Sequence, residues 1–185
     1  MLKRQQTKCT IASLIMAGFL AGVAHAAPLE EAAREGYRAP RFQLPDLEGT
    51  RHSLQQYRGQ VVLLNFWASW CAPCITEMPD LQAVHESFDG LPFSVVAISE
   101  DGRIDEAQRF VEGKDFTFPI LHDTGQDVSK DYMVRGLPAT FLLDTEGVVI
   151  RRISGPRDWT SDEWMAQFRA LLPEESSPGA STVEE

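Results

Sequence analysis

The chain has 185 residues, 43% of them hydrophobic and 24% charged, which is enough apolar material for one packed core and too little for two. Its formal net charge of −10 disfavours any partner that is itself a polyanion, so nucleic acid and anionic membrane surfaces are excluded as expected ligands.

The N-terminus has the three parts of an export signal. Lys3, Arg4 and Lys8 form a basic region, Ile11 to Val23 a short apolar run, and Ala24-His25-Ala26 a small-residue cleavage site. Residues 1–26 are therefore expected to be a cleaved signal peptide that delivers the chain to an oxidising compartment such as the periplasm. The alternative is an uncleaved inner-membrane anchor facing the periplasm, but the run falls short of the roughly 20 apolar residues a spanning helix needs. Cleavage removes Cys9 and leaves Cys71 and Cys74 as the cysteines of the mature chain. Loss of the basic residues also makes the remainder still more acidic.

Residues 27–39 are polar and unpatterned and read as a linker or frayed first segment. Phe42 to Thr50 alternates and turns at Gly49, which predicts a small hairpin or two edge strands. Val61 to Phe66 is a continuous apolar, β-rich run of the length of a buried central strand. Apolar positions from Ile75 to Phe88 follow at helical spacing, so Cys71 falls at or just before a helix N-terminus and Cys74 one turn inside it. Pro79 lies within that helix and predicts a kink. Phe93 to Ile98 reads as a second buried strand. Ile104 to Glu112 reads as a helix presenting Ile104, Ala107, Phe110 and Val111 to the core. An apolar patch at Phe118 to Leu121 and a helix near Asp127 to Met133 come next. After the break at Gly136-Leu137-Pro138, Thr140 to Leu143 and Val148 to Ile153 flank a turn and predict a hairpin. Thr160 to Glu163 matches a capping box opening a last helix that carries Trp164, Phe168 and Leu171 on one face. Residues 173–185 form a polar, acidic tail with no expected structure. The pattern is α/β, with a mixed sheet and helices on both faces.

Two cysteines separated by two residues close too small a loop to restrain the unfolded chain strongly, so a structural staple explains them poorly. Zinc would need further ligands, and His52, His85 and His122 have no paired spacing; each reads as a surface or helix-face residue, and no metal or cofactor is expected. A thiol at a helix N-terminus, in contrast, is held toward thiolate by the unpaired backbone N–H groups around it. Cys71 has that place and reads as the attacking thiol. Cys74, partly covered by its own helix, reads as the resolving one. Pro73 suits a first turn, where no N–H is required.

Asn65-Phe66-Trp67-Ala68-Ser69-Trp70-Cys71-Ala72-Pro73-Cys74, followed by Glu77 and Pro79, resembles the active site of the thioredoxin superfamily, in its exported TlpA/ResA-like branch of thiol-disulfide oxidoreductases. Gly136 to Asp144 is similar to that family's cis-proline loop and the strand after it, and the resemblance spans residues 40–172. It implies a thioredoxin-like fold with an N-terminal hairpin and an inserted strand and helix within Phe93 to Leu121. It also implies that Pro138 is cis, although only about 5–6% of X-Pro bonds are, and that it faces Cys71, with the Leu137 backbone free to pair with a substrate strand. Thioredoxin itself has a buried aspartate where this chain has Asn65, which cannot titrate. The exported branch resembles this chain in carrying Glu at position 77, and a partly buried Glu77 is expected to take the proton of Cys74.

The catalytic residues expected on these grounds are Cys71, Cys74, Glu77 and Pro138. Trp70, Ala72, Pro73 and Leu137 are expected to form the surface that receives substrate, while Trp67, Trp159 and Trp164 need only a packing role. The implied activity is protein disulfide reduction by a monomer acting on protein disulfides and recharged by a membrane-embedded thiol donor; the family's substrates include haem-attachment and copper-site cysteines. Ala72-Pro73 supplies neither charge nor donor to stabilise a thiolate, which argues against an oxidant or isomerase. A copper chaperone of related fold has three residues between its cysteines and a late histidine, and here there are two residues and no histidine after His122. A peroxidase of the neighbouring type needs Ser or Thr at the position of Ala68.

Overall fold

The computed structural model describes residues 33–173, so the expected signal peptide, residues 1–26, and the expected tail beyond residue 173 lie outside the described residues. The centre of the fold is β3 (Val61–Trp67), in which every side chain is buried. It pairs in parallel with β4 (Phe93–Ser99) and antiparallel with β6 (Ala139–Leu143). With β5 (Ile120–His122) and β7 (Val149–Ser154) at the edges, the strand order is β5-β4-β3-β6-β7. This is the mixed sheet and thioredoxin-like fold the sequence predicts, with β5 as the added strand and α2 (Ile104–Val111) as the added helix. The N-terminal hairpin is a separate two-stranded sheet of β1 (Gln43–Pro45) and β2 (Arg51–Ser53).

Strand alternation divides the core in two. Val61, Leu63 and Trp67 face α1 (Ala72–Ser87) and α4 (Asp162–Ala170), where Met78, Leu81, Val84 and Phe168 meet them. Val62, Leu64 and Phe66 face the opposite layer of Phe42, Leu54, Val128 and Tyr132, the last two from α3 (Asp127–Asp131) and its cap. Asn65 is the polar member of the first row and is wholly buried. Among the described residues no helix is long and apolar enough to cross a membrane.

Pro79 lies inside helix α1, as the sequence predicts, on its exposed face where water can serve the carbonyl its missing N–H abandons. Several other local expectations change. The capping box at Thr160 does not form: Ser161 is the N-cap, and the hydroxyls of Thr160 and Ser161 both donate to Asp158. Residues 33–39, the described part of the predicted linker, dock on the sheet. Gly36 N–H donates to the Val149 carbonyl and Ala39 N–H to that of Gly147, each at 2.9 Å, and Ala33 and Ala39 are buried. His122 is a buried strand residue; its Nε2–H donates to the Asp101 carbonyl at 2.8 Å, so Nδ1 accepts from the Thr124 hydroxyl at 3.1 Å. Ile104 is half-buried outside the main clusters, whereas Ala107, Phe110 and Val111 pack as expected.

Phe168 closes the core beneath α1 and α4, with ring centroids 5.3 Å from Phe93, 5.8 Å from Trp164 and 6.1 Å from Phe88. Replacing it with alanine removes the ring and leaves a cavity that its rigid neighbours cannot fill. Phe168→Ala is expected to lower the unfolding free energy by about 3–5 kcal/mol, read from urea denaturation curves.

Candidate active site

Strand β3 ends at Trp67, and after three intervening residues the chain reaches Cys71, which caps α1. The intervening turn is clamped by Asp101, a fully buried carboxylate just past the end of β4. Its oxygens accept from the Ser69 N–H at 3.0 and 3.1 Å, from the Ser69 hydroxyl at 2.7 Å and from the Ser99 hydroxyl at 2.8 Å. Two residues on, Cys71 is the N-cap of α1, and its Sγ accepts the N–H of Cys74 at 3.3 Å. That N–H is one of the unpaired donors of the first helical turn, so the helix aims its positive end at the sulfur.

Cys71 and Cys74 are joined as a disulfide, and the two sulfurs are not equivalent. Cys71 keeps 6% of its surface in solvent and Cys74 none. Trp70, beside Cys71, is 67% exposed, an unusual setting for so large an apolar ring. Ala72 and Pro73 are exposed as well. The Leu137-Pro138 bond is cis. Pro138 directly precedes Ala139, which pairs with Phe66, so the cis-proline sits beside the end of β3 from which the cysteine turn leaves. Pro138 is buried and Leu137 half-buried.

Glu77, one turn after Cys74, retains 2% of its surface. Three donors converge on its carboxylate: Asn65 Nδ2 at 2.8 Å on Oε1, and Trp159 Nε1 at 3.2 Å with the Arg157 N–H at 3.3 Å on Oε2. Asn65 Nδ2 also donates to Thr140 Oγ1 at 3.0 Å, two residues beyond Pro138, while its Oδ1 has no protein partner. Burial pushes the Glu77 carboxyl above the ordinary carboxylate range, the three donors pull it back, and nearby Asp80 adds to the rise. Asp80 is itself raised by burial and by Asp158. A groove of about 280 Å³ opens here, lined by Pro73, Thr76, Glu77, Asp80, Arg157 and Asp158.

Cys71, Cys74, Glu77, Ala72 and Pro73 thus share one helix start, and the fold adds Trp70 and Pro138 to the same end of the sheet. Sequence reasoning missed Asp101, Thr140, the Arg157 backbone and Trp159. An acid at a strand end was a weak signal for Asp101. No spacing relates position 159 to position 77.

Residues 36–152 match the family described as AhpC/TSA. The thiol-disulfide oxidoreductase ResA of Bacillus thuringiensis subsp. konkukian is 36% identical over 144 residues, covering 78% of this chain and 82% of that protein. A solved chain from Chlorobium tepidum, assigned as a thiol:disulfide interchange protein DsbE, superposes with a TM-score of 0.71 at 31% identity over 76% of this chain and 99% of its own. The exposed lipoprotein thioredoxin of Streptococcus pneumoniae superposes with a TM-score of 0.61 at 25% identity over 71% and 100%. The chain belongs to the AhpC/TSA family of the thioredoxin superfamily, as a thiol-disulfide oxidoreductase of the ResA/DsbE type. Its activity is thiol-disulfide exchange.

On the other face of β4, Glu100 is half-buried with Oε1 lacking a protein partner, and burial together with Asp123 raises its carboxyl to about 7. Between the ordinary value of 4.5 and about 7 the folded protein therefore binds more protons than the unfolded chain, so this group's contribution to stability is lost as pH rises. Glu100→Gln is expected to flatten that decline and to be the more stable form above neutrality, as read from urea midpoints measured across the window.

Proposed function

We propose that this protein is an exported disulfide reductase, and the observation that carries the reading is the asymmetry of its cysteine pair. Reduced Cys71 reaches solvent at a helix N-terminus and attacks a substrate disulfide as thiolate. One substrate sulfur leaves and takes a proton, while the other is held to Cys71 as a mixed disulfide. Cys74, buried in the first turn of α1, gives its proton to Glu77 and attacks Cys71 Sγ. The second substrate thiol is released and the Cys71–Cys74 disulfide forms. Each turnover thus oxidises two enzyme thiols and reduces one substrate disulfide.

Pro138 forms the wall against which the mixed disulfide is held, and the Leu137 backbone pairs with the substrate chain. Trp70, Ala72 and Pro73 make the apolar rim it meets. The reducing direction is supported by Ala72-Pro73, which gives a thiolate no extra stabilisation, and by the resemblance of the cysteine motif to the TlpA/ResA-like branch. A reductant in an oxidising compartment needs a supply of electrons, and a membrane-embedded dithiol is the donor this reading requires. Its substrates are protein disulfides, such as oxidised haem-attachment or copper-site cysteines. Export is supported by the basic, apolar and small-residue sections of residues 1–26 and by the name of the pneumococcal neighbour. The working unit is a monomer, a domain of residues 40–172 followed by an acidic tail.

Equilibrating the pair with glutathione or dithiothreitol tests the direction. A potential near or below about −250 mV is expected; one near about −120 mV, as in a strong oxidant, overturns the reductant reading. The assignment of roles has its own test. Cys74→Ser is expected to accumulate mixed disulfides with substrate proteins on non-reducing gels, and Cys71→Ser to form none.

A further inference from the structure

The donor set around Glu77 contains one side chain that belongs to neither the cysteine helix nor the central sheet. Trp159 lies just before α4, is wholly buried, and packs its ring 4.9 Å from Trp164 and 6.4 Å from Phe168, centroid to centroid. That packing fixes the indole plane and leaves Nε1–H pointing at Glu77 Oε2. We infer that Trp159 is a positioning residue of the redox site, whose indole N–H sets the pH at which Glu77 can take up the proton of Cys74.

The inference rests on the reading of Glu77 as that proton acceptor, and it follows from what an indole can do. Trp Nε1–H donates and never accepts, so the contact favours the carboxylate over the carboxylic acid. The other groups facing Glu77 act in both directions. On its own helix, Cys74 precedes it by one turn and Asp80 follows by one turn, the latter disfavouring the charged form. From β3, Asn65 donates. From the 155–159 loop, the Arg157 N–H donates, while the Arg157 guanidinium turns back on the carbonyls of Gly155 and Pro156 at 3.3 and 2.7 Å. Asp158 faces Asp80, and its Oδ1 is occupied by Thr160. Trp159 is thus, with Asn65 of β3, one of two side-chain donors that offset burial and Asp80 from outside the redox-active helix. Its ring is held by Trp164 and Phe168 of α4 and not by α1.

Trp159→Phe tests this, since phenylalanine keeps a ring against Trp164 and Phe168 and deletes the donor. In the reduced protein, the rate of Cys74 alkylation against pH is expected to shift upward by about one pH unit at its Glu77-linked inflection. In a Glu77→Gln background the same substitution is expected to shift nothing. A profile unmoved by Trp159→Phe but moved by Glu77→Gln overturns the inference alone. An equal shift in both backgrounds also overturns it, since the effect would then bypass Glu77. A profile unmoved by Glu77→Gln removes the reading on which it rests. Should Trp159→Phe not fold, the wild-type protein answers by NMR: the Trp159 indole N–H resonance must titrate with the Glu77 side-chain carbon, and an indole signal indifferent to that titration overturns the proposal.

Discussion

A carboxylate inside a hydrophobic core is tolerated only where enough donors replace the water it has lost, and in this protein the requirement falls on Glu77. Its partners come from β3, from the loop before α4 and from that loop's backbone. Meeting it therefore fixes how three parts of the chain approach one another beneath the cysteines. Removing one donor leaves a charge less satisfied in a place water hardly reaches, so each donor constrains the position of the element that carries it. The same network extends through Asn65 to Thr140, and so ties the cysteine helix to the strand that opens with the cis-proline.

The second constraint acts on the other side of the disulfide. Asp101 engages both polar groups of Ser69, so the turn between β3 and α1 is held from beneath while its outer face carries the exposed Trp70. The result is a cysteine that follows a clamped turn and keeps a small part of its surface in solvent. A mobile turn would lose the alignment of the Cys74 N–H with the Cys71 sulfur, and with it part of the bias toward thiolate. Clamping by Asp101 and solvation of Glu77 by protein donors act at different points: one holds the turn that leads to Cys71, the other keeps a buried acid one turn beyond Cys74.

How much of this was readable in the sequence depended on whether a signal was local. Val61 to Phe66 could be recognised as central because a run apolar on both faces has only one comfortable place in an α/β fold, and the cysteine pair followed it closely. Cys71 as N-cap and Glu77 one turn beyond Cys74 are likewise matters of helical spacing. Trp159 was legible only as a packing residue, because its ring does pack and its N–H finds a partner 82 positions away that no periodicity announces. The capping box at Thr160 failed for a related reason: Asp158 offered the two hydroxyls an alternative acceptor, and the sequence pattern is silent about competition. Residues 33–39 read as a linker because a segment that binds through its backbone needs no apolar pattern of its own.

The exchange of a titratable residue for an amide at position 65 can then be understood from geometry. Asn65 Nδ2 sits 2.8 Å from a carboxylate oxygen of Glu77. An aspartate in the same place would set two carboxylates against each other at that distance, and two such groups cannot both ionise; they would share one proton, with one affinity strongly raised. The amide avoids this conflict. It donates to Glu77 without competing for protons, and leaves a single buried acid beside the resolving cysteine. A neutral residue at 65 and an acid at 77 are therefore two halves of one arrangement, which puts the acid on the redox-active helix and a donor on the central strand. There the acid lies within reach of the loop before α4, and under the proposed proton transfer a tryptophan far along the chain bears on the chemistry of Cys74.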